Sequence, residues 1–345
     1  MLKFTGYVAA AVVSALCMAS PVRADEAYPR LNFTYAHMVA ANNALAKFDV
    51  RWMEIVEQRS GGRIKFKVFW SGAMGGPTEI PDLVGSGSVD FGSTALGYLP
   101  SQFPLSGVVG NMQRTFATPT DARQASMEIF SLPPVQAELT KANIVILNTT
   151  TANPYNLTCT KPIKTMDELK GKRIRANGKY PPIFFNTFGA SPQTIAFAEM
   201  YEGLEKGLID CAWMSHDFAI SSKLNEVAKF AIDLNLGAVP ATQLLVNRKK
   251  FVGLPKKVQE LLMSAAEQSS VDEAKYLAEV MTNTIKVDMP AKGMTYVHFE
   301  DEKKFVAAEP NMPKIWEKDI AAQGQPEAAK AIADILQKYR AKLVN

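Results

Sequence analysis

The sequence predicts an α/β protein of two domains that face each other across a ligand cleft, on three observations. Segments with the two-residue period of strands alternate with segments of the 3.6-residue helical period. Polar passages near residues 150 and 240 mark two hinge strands, where the chain is expected to cross between the domains. From 255 to about 285 an apolar periodic pattern without internal glycine predicts a helix of roughly 45 Å at ~1.5 Å per residue, which could contact both domains.

The first predicted domain comprises residues 25–150 and 240–280. Its expected elements are, in order, a strand at 32–36, a helix that Gly61 and Gly62 end, a half-exposed strand at 63–69, a short helix from Thr78, a strand at 88–95, a helix from Thr118 to Phe130, another from Pro133, a strand at 144–147 and a strand at 242–247.

The second predicted domain comprises residues 151–239 and 281–345. We expect strands at 172–176 and 193–196, followed by a helix whose apolar face carries Phe197 and Leu204. A third strand follows in the run LIDCAWM, and residues 215–230 are predicted to be helical. A strand at 294–299 and an amphipathic helix at 326–343 complete the chain.

Residues 1–24 have the pattern of a cleavable secretory signal, with Lys3 before a short apolar run and Val22-Arg23-Ala24 before the expected cleavage point. We therefore expect a periplasmic protein. Cleavage would lower the formal charge of +4 by two, which suggests no nucleic-acid partner. The two remaining cysteines, Cys159 and Cys211, could form a disulfide in an oxidising compartment or remain two buried thiols, and the sequence leaves both open.

Three blocks of sequence carry a resemblance to a known family. GGRIKFKVFWSGAMGG begins at Gly61, VDFGSTALGY at Val89, and the third block joins KRIRANG, FGASP and FAEMYEGLEKGLID between 172 and 210. Together they resemble the solute-binding proteins of tripartite ATP-independent periplasmic (TRAP) transporters, of the DctP type. The blocks lie in order and far apart, so the resemblance covers most of the chain.

The resemblance implies a type II periplasmic binding-protein fold, in which two lobes close on a ligand by a hinge motion. It also implies delivery of the solute to one small and one large integral membrane subunit, driven by an ion gradient. No cofactor, metal or catalytic residue is implied. The chain is thus expected to be a transport protein and not an enzyme.

Arg175, at the carboxyl end of a predicted strand, is the first candidate ligand-binding residue. Open α/β sheets bind ligands at that edge, and a guanidinium pairs with a carboxylate through two parallel hydrogen bonds. The resemblance implies this role, whereas the plain alternative is a surface ion pair. The other candidates, each of which could equally be ordinary packing, are Phe197, Trp213, Met214, Asn156, Tyr98, Trp70 and His37.

Two departures from the family pattern narrow the ligand. Many relatives carry a second arginine near the hinge, where this chain has Asn153 to Asn156, and an asparagine where it has Met214. Fewer polar contacts and the nearby Trp213 favour a ligand with one carboxylate and an aromatic or short aliphatic body. A sugar acid or a C4 dicarboxylate is not expected.

Two other functions remain open. The same fold could serve an ATP-driven (ABC) importer or a sensor, and a secreted enzyme would need a nucleophile, a base or a metal site. His216 and Asp217 are the only neighbours that invite a catalytic interpretation, but no nucleophile motif lies beside them. We interpret the pair as the start of a helix.

Overall fold

The computed structural model describes residues 1–2 and 27–344, with side chains through Leu343. Nearly all of the predicted signal segment, 1–24, lies outside these residues, so cleavage after Ala24 stays a prediction. No helix in the described ranges combines the length and apolar character needed to cross a bilayer.

The strands and helices alternate through most of the chain, as predicted. The strands are β1 (Leu31–His37), β2 (Ile64–Phe69), β3 (Phe91–Thr94), β4 (Ile144–Ala152), β5 (Asn156–Cys159), β6 (Arg173–Arg175), β7 (Ser191–Gln193), β8 (Cys211–Met214), β9 (Phe230–Asp233), β10 (Val239–Asn247) and β11 (Thr295–His298). The α-helices are α1 (Lys47–Arg59), α2 (Ile80–Ser86), α3 (Pro119–Phe130), α4 (Pro133–Lys141), α5 (Met166–Leu169), α6 (Tyr180–Asn186), α7 (Met200–Glu205), α8 (His216–Ser221), α9 (Arg248–Gly253), α10 (Lys256–Asn283), α11 (Met289–Ala291), α12 (Glu302–Ala308), α13 (Met312–Ala322) and α14 (Pro326–Val344).

The strands form two sheets, which confirms the predicted α/β class. The first sheet has the order β2-β1-β3-β10-β4 and the second the order β11-β9-β5-β8-β6-β7. In each sheet one strand runs against its neighbours: β10 is antiparallel to β3 and β4, and β5 is antiparallel to β8 and β9. We call the first sheet with the helices that pack on it the first lobe (31–152 and 239–283), and the second sheet with its helices the second lobe (156–233 and 289–298).

The chain crosses between the two sheets through short segments at 153–155 and at 234–238, and a third time through the long helical stretch between β10 and β11. The two short crossings are hydrogen-bonded to each other: the Tyr155 amide donates to the Gly237 carbonyl and the Leu236 amide donates to the Tyr155 carbonyl, both at 2.8 Å. Their side-by-side pairing makes one compact connection. The assignment of residues 25–150 and 240–280 to one domain, and of the rest to the other, stays a prediction.

Helix α10 begins on the first lobe, and the helical turns that continue it to residue 291 reach the second lobe, in agreement with the predicted long helix. Near its start the indole N–H of Trp52, from α1, donates to the Leu262 carbonyl at 3.0 Å. A π-helical turn, Thr284–Asp288, continues it into α11, where buried Met289 packs with Ala231 and Met294 of the second lobe.

Several predicted boundaries were wrong by a few residues. The polar stretch after Leu147 was expected to end a strand, but β4 continues to Ala152 because β10 pairs with it and the Thr149 hydroxyl donates to the Thr242 carbonyl at 2.9 Å. The strand expected at 193–196 lies at 191–193. Helix α8 ends at Ser221, since Lys223 adopts a left-handed conformation with φ of 59°.

Cys159 and Cys211 form a disulfide. They are register partners on the antiparallel strands β5 and β8, so their side chains lie on the same face. Of the two alternatives that the sequence left open, the structure has the bridge.

Glu273 is a carboxylic acid buried within α10, with 2% of its surface exposed. It accepts a hydrogen bond from the Thr151 amide at 3.0 Å, and no ion pair to it is found within residues 27–344. Burial, which disfavours the ionised form, raises the pKa of Glu273 to about 8. The carboxyl group is therefore mostly protonated in the folded protein at neutral pH.

Glu273→Gln should remove a pH dependence of stability. Because the folded-state pKa is raised, the native state holds a proton that the unfolded state has lost between about pH 4.5 and 8, so the wild-type free energy of unfolding should fall as pH rises through this window. Glutamine does not titrate and should flatten that slope. Urea unfolding at pH 5, 7 and 8.5 tests this, with Glu267→Gln, an exposed change on the same helix, as the control. Equal slopes in both variants would contradict it.

Loss of the disulfide should destabilise the protein by about 2–4 kcal/mol, since the bond restricts the unfolded chain over a separation of 52 residues. Denaturant unfolding of the Cys159→Ala, Cys211→Ala double variant against the oxidised wild type measures this. Two titratable thiols in the unfolded, unreduced wild type would show instead that the bond does not form.

Candidate functional site

A cavity lies between the lobes beside the chain crossings. It contains about 440 Å³ of space free of protein atoms, part of it open to solvent. Its lining combines one cationic side chain with aromatic rings, amides and backbone, and comprises Ala95, Gly97, Tyr98, Gly110, Asn111, Tyr155, Arg175, Asn177, Trp213, Val239, Pro240, Ala241 and Gln243.

Arg175 supplies the positive charge of this cavity. It is the last residue of β6 and is 5% exposed. Its Nε donates to the Ile195 carbonyl and its Nη2 donates to the Tyr98 hydroxyl, both at 3.1 Å. Tyr98 belongs to the first lobe, so this second bond joins the lobes. Within the described ranges the guanidinium makes no ion pair with a carboxylate.

Arg173, on the same strand, provides the contrast. Its Nη2 lies 2.7 Å from Asp210 Oδ1 and its Nε donates to Asp210 Oδ2 at 3.1 Å. Hydrogen bonding and charge from Arg173 lower the pKa of Asp210. The surface ion pair that was the alternative role for Arg175 is thus made by Arg173 instead, whose guanidinium is much more exposed.

The aromatic wall of the cavity is made by Trp213 and Tyr155. Their ring centroids are 5.0 Å apart in an edge-to-face arrangement, and Phe185 packs on Trp213 from behind at 6.0 Å. Burial raises the pKa of the Tyr155 phenol, and the charge of Arg175 opposes that shift. The wall is therefore uncharged at physiological pH.

Two of the lining amides are fixed by hydrogen bonds to nearby backbone. Gln243 accepts from the Leu96 amide at 3.0 Å, and Asn177 accepts from the Ile195 amide at 3.1 Å. These bonds shape the cavity wall and hold the segment whose carbonyl orients Arg175.

Three of the eight sequence-predicted residues, Arg175, Trp213 and Tyr98, meet at this cavity. Met214 is buried but does not line it, since neighbouring residues of a strand point to opposite faces. Asn156 lines a second cavity near the crossings. Phe197 lies half-buried in a 3₁₀ turn, Phe197–Glu199, outside the lining.

His37 and Trp70 also lie away from this cavity. His37 is fully buried, with its Nε2 at 3.0 Å from Asp49 Oδ2 and its Nδ1 accepting from the Val39 amide at 3.1 Å. The Trp70 ring packs 5.1 Å from the imidazole. The histidine is thereby satisfied within the first lobe.

The second cavity contains the pair that invited a catalytic interpretation. Its lining includes Asn156, His216, Asp217, Asp233 and Tyr296. Burial lowers the pKa of His216 to about 4, so the ring is neutral at physiological pH. His216 and Asp217 begin α8, as predicted. No group of three or more metal-binding side chains occurs in the described part of the chain.

Sequence reasoning missed Tyr155, Asn111 and Gln243. Tyr155 lies in the first crossing and Gln243 lies in β10, next to the second. The polar passages near 150 and 240 had indicated both places, so the sequence held a signal that could have identified these two residues. Asn111 ends a 3₁₀ segment, Ser106–Asn111, that has no clear period in the sequence.

The chain is similar to known proteins in both sequence and fold. The family model for bacterial extracellular solute-binding proteins, family 7 (DctP), matches residues 35–321. The 2,3-diketo-L-gulonate-binding periplasmic protein of Escherichia coli K12 is 32% identical over 178 residues, which cover 50% of this chain and 52% of that protein. The match thus spans about half the length of that relative.

Two solved structures illustrate the shared fold. A TRAP solute-binding protein from Rhodoferax ferrireducens, in complex with copurified benzoate, has a TM-score of 0.79 at 20% identity, covering 91% of this chain and 98% of that one. A TRAP solute-binding protein from Sulfitobacter with bound β-D-galacturonate has a TM-score of 0.73 at 24% identity, covering 89% and 99%. Both have the α/β fold described above.

Proposed function

The chain belongs to the DctP-type family of bacterial extracellular solute-binding proteins, family 7, and on that premise we propose that it captures a small organic anion by closing two lobes around it. Members of this family are substrate-binding transport proteins, not enzymes. The observation that carries the proposal is the buried guanidinium of Arg175, which faces a cavity between the lobes without a carboxylate partner in the described chain.

A ligand carboxylate would supply the missing counter-charge. Two parallel hydrogen bonds from the guanidinium would orient it, and the exclusion of water from a closed cavity would strengthen them. The Tyr98 hydroxyl, 3.1 Å from the guanidinium, would contact the same carboxylate from the opposite lobe. Because a ligand held in this way touches both lobes, it would shift the equilibrium toward the closed form.

The lining favours a monocarboxylate with an apolar body. Arg175 is the one cationic side chain among the lining residues, and Trp213, Tyr155 and Pro240 present apolar surface around it. A second carboxylate would find no second cation among the lining residues. The amides of Asn111 and Gln243 already hydrogen-bond within the protein, so a sugar hydroxyl array would find few free partners. Of the two structural relatives above, the benzoate-bound protein provides the nearer chemical precedent.

The wider setting of this function is also a proposal. The chain would act in the periplasm after removal of residues 1–24, and deliver its solute to a small and a large TRAP membrane subunit. Residues 25–150 with 240–280, and 151–239 with 281–345, would be the two domains that move about the paired crossings.

Arg175→Ala should weaken binding of the preferred acid by about 2–5 kcal/mol, because it removes the charged partner of a buried carboxylate. Isothermal titration calorimetry measures the loss, and far-UV circular dichroism checks the fold. Arg173→Ala is the matched control: it removes the other guanidinium of β6, which is bonded to Asp210, and should leave affinity almost unchanged. Equal affinity of the Arg175 variant and the wild type would remove the basis of the proposal.

A thermal-shift screen should favour monocarboxylates. We expect benzoate, hydroxyphenylacetate, pyroglutamate or a short aliphatic acid to stabilise the protein by about 2.7 kcal/mol at 100 times its dissociation constant. Succinate, malate and galacturonate, at equal concentration, should have smaller effects. A larger shift with the dicarboxylates or the sugar acid would refute the proposed ligand class.

A further inference from the structure

The Asn177–Gly178 turn of the second lobe packs directly on the backbone of the first lobe. Gly178 has φ of +86°, a left-handed conformation that favours glycine. A Cβ placed on it would overlap Asn111 Oδ1 and would lie 3.1 Å from the Gly97 carbonyl oxygen. The lobes thus meet at a point where no side chain fits.

The first-lobe half of this contact is rigid. Asn111 is 4% exposed, and its Nδ2 donates to the carbonyls of Gly97 and Gly107 at 3.1 and 3.0 Å. These two bonds direct its Oδ1 toward Gly178. Gly97 and Gly107 are packed as closely, since a Cβ on Gly97 would lie 2.6 Å from Asn111 Nδ2 and one on Gly107 would lie 2.8 Å from the Leu96 carbonyl oxygen. The amide cannot swing away without breaking both bonds.

Each half of the contact contains a glycine close in sequence to one of the two residues that bridge the cavity. Gly97 precedes Tyr98, and Gly178 follows Arg175 by three residues. The hydrogen bond from Arg175 to Tyr98 therefore depends on how closely these two backbone segments approach. A displacement of one segment by a methyl radius would carry the hydroxyl out of hydrogen-bond range.

We infer that Gly178 and Asn111 form a seat that sets how far the lobes close and thereby positions Arg175 and Tyr98 for the ligand. Both are positioning residues, because they act through Arg175 and Tyr98. The inference rests on the proposed function, since closure matters only if a ligand is bound between the lobes.

Gly178→Ala tests the seat, and Gly171→Ala is its matched control. Gly171 lies just before β6 and has a similar φ of +70°, and a Cβ placed on it would meet no atom of the described chain within 4 Å. Both variants share the backbone strain of alanine at a left-handed position. Only Gly178→Ala adds the steric conflict with Asn111, so the difference between the two variants reports the seat.

Benzoate is the probe, measured by calorimetry and by small-angle X-ray scattering. We expect the affinity of Gly178→Ala to be at least tenfold below that of Gly171→Ala, and the decrease in radius of gyration on adding benzoate to disappear. Adding Asn111→Ala to Gly178→Ala removes the blocking amide and should restore part of both. If Gly178 had a merely structural role, benzoate would still compact Gly178→Ala, and adding Asn111→Ala would restore nothing.

Three outcomes separate the seat from the binding proposal. If Gly178→Ala and Gly171→Ala bind benzoate with equal affinity and compact equally, the seat is overturned and the proposed binding function stands. If the wild type binds neither benzoate nor any acid of the thermal-shift screen, the binding function fails, and the seat is judged by hydrogen exchange. Faster exchange at residues 106–111 in Gly178→Ala than in Gly171→Ala would then support the seat, and equal exchange would overturn it.

Discussion

The buried positive charge of Arg175 is the constraint around which the cavity is organised. A guanidinium removed from water requires compensation, and here it receives one backbone carbonyl and one phenol hydroxyl but no carboxylate from the described chain. Two neutral acceptors satisfy part of its five-donor fork and leave the charge itself uncompensated. The neighbouring strand residue, Arg173, shows that the chain can place an aspartate beside an arginine where only stability is at stake.

The two lobes are joined both by hydrogen-bonded crossings and by a long helical segment. The paired crossings are hydrogen-bonded to each other, α10 packs on the first sheet, and the helical segment that continues it contacts the second sheet through Met289. Near the second crossing, buried Arg114 donates to the Asn235 carbonyl at 2.6 Å and pairs with Glu309, which also pairs with Arg340 of α14. An ion-pair cluster of this kind gives the crossing a defined geometry more than it adds stability.

Much of this architecture could be predicted from the sequence, because strand and helix periods are local signals. The class, the long helix, the strand bearing Arg175 and the start of α8 at His216 all follow from patterns of a few residues.

The depth at which a side chain is buried does not follow from such local patterns. His37 carries the same local signal as Tyr98, at the end of a first-lobe strand, yet its ring is bonded to Asp49 and lies in the core, whereas Tyr98 faces the cavity. Met214 and Trp213 are neighbours on β8 and point to opposite faces of the sheet. Which of the two faces the cavity depends on the residue at which β8 begins. Asn111 owes its place to contacts distant in sequence.

The cross-link between β5 and β8 bears on when the polypeptide acquires its final stability. Thiols stay reduced in the bacterial cytosol, so on the export route proposed above a newly made chain would lack this covalent bond until it reached an oxidising compartment. Before that point the strand that carries Trp213 is joined to the strand leaving the hinge by hydrogen bonds and packing alone. A precursor that is easier to unfold is a better substrate for translocation through a narrow export channel, and oxidation afterwards would make maturation effectively one-way.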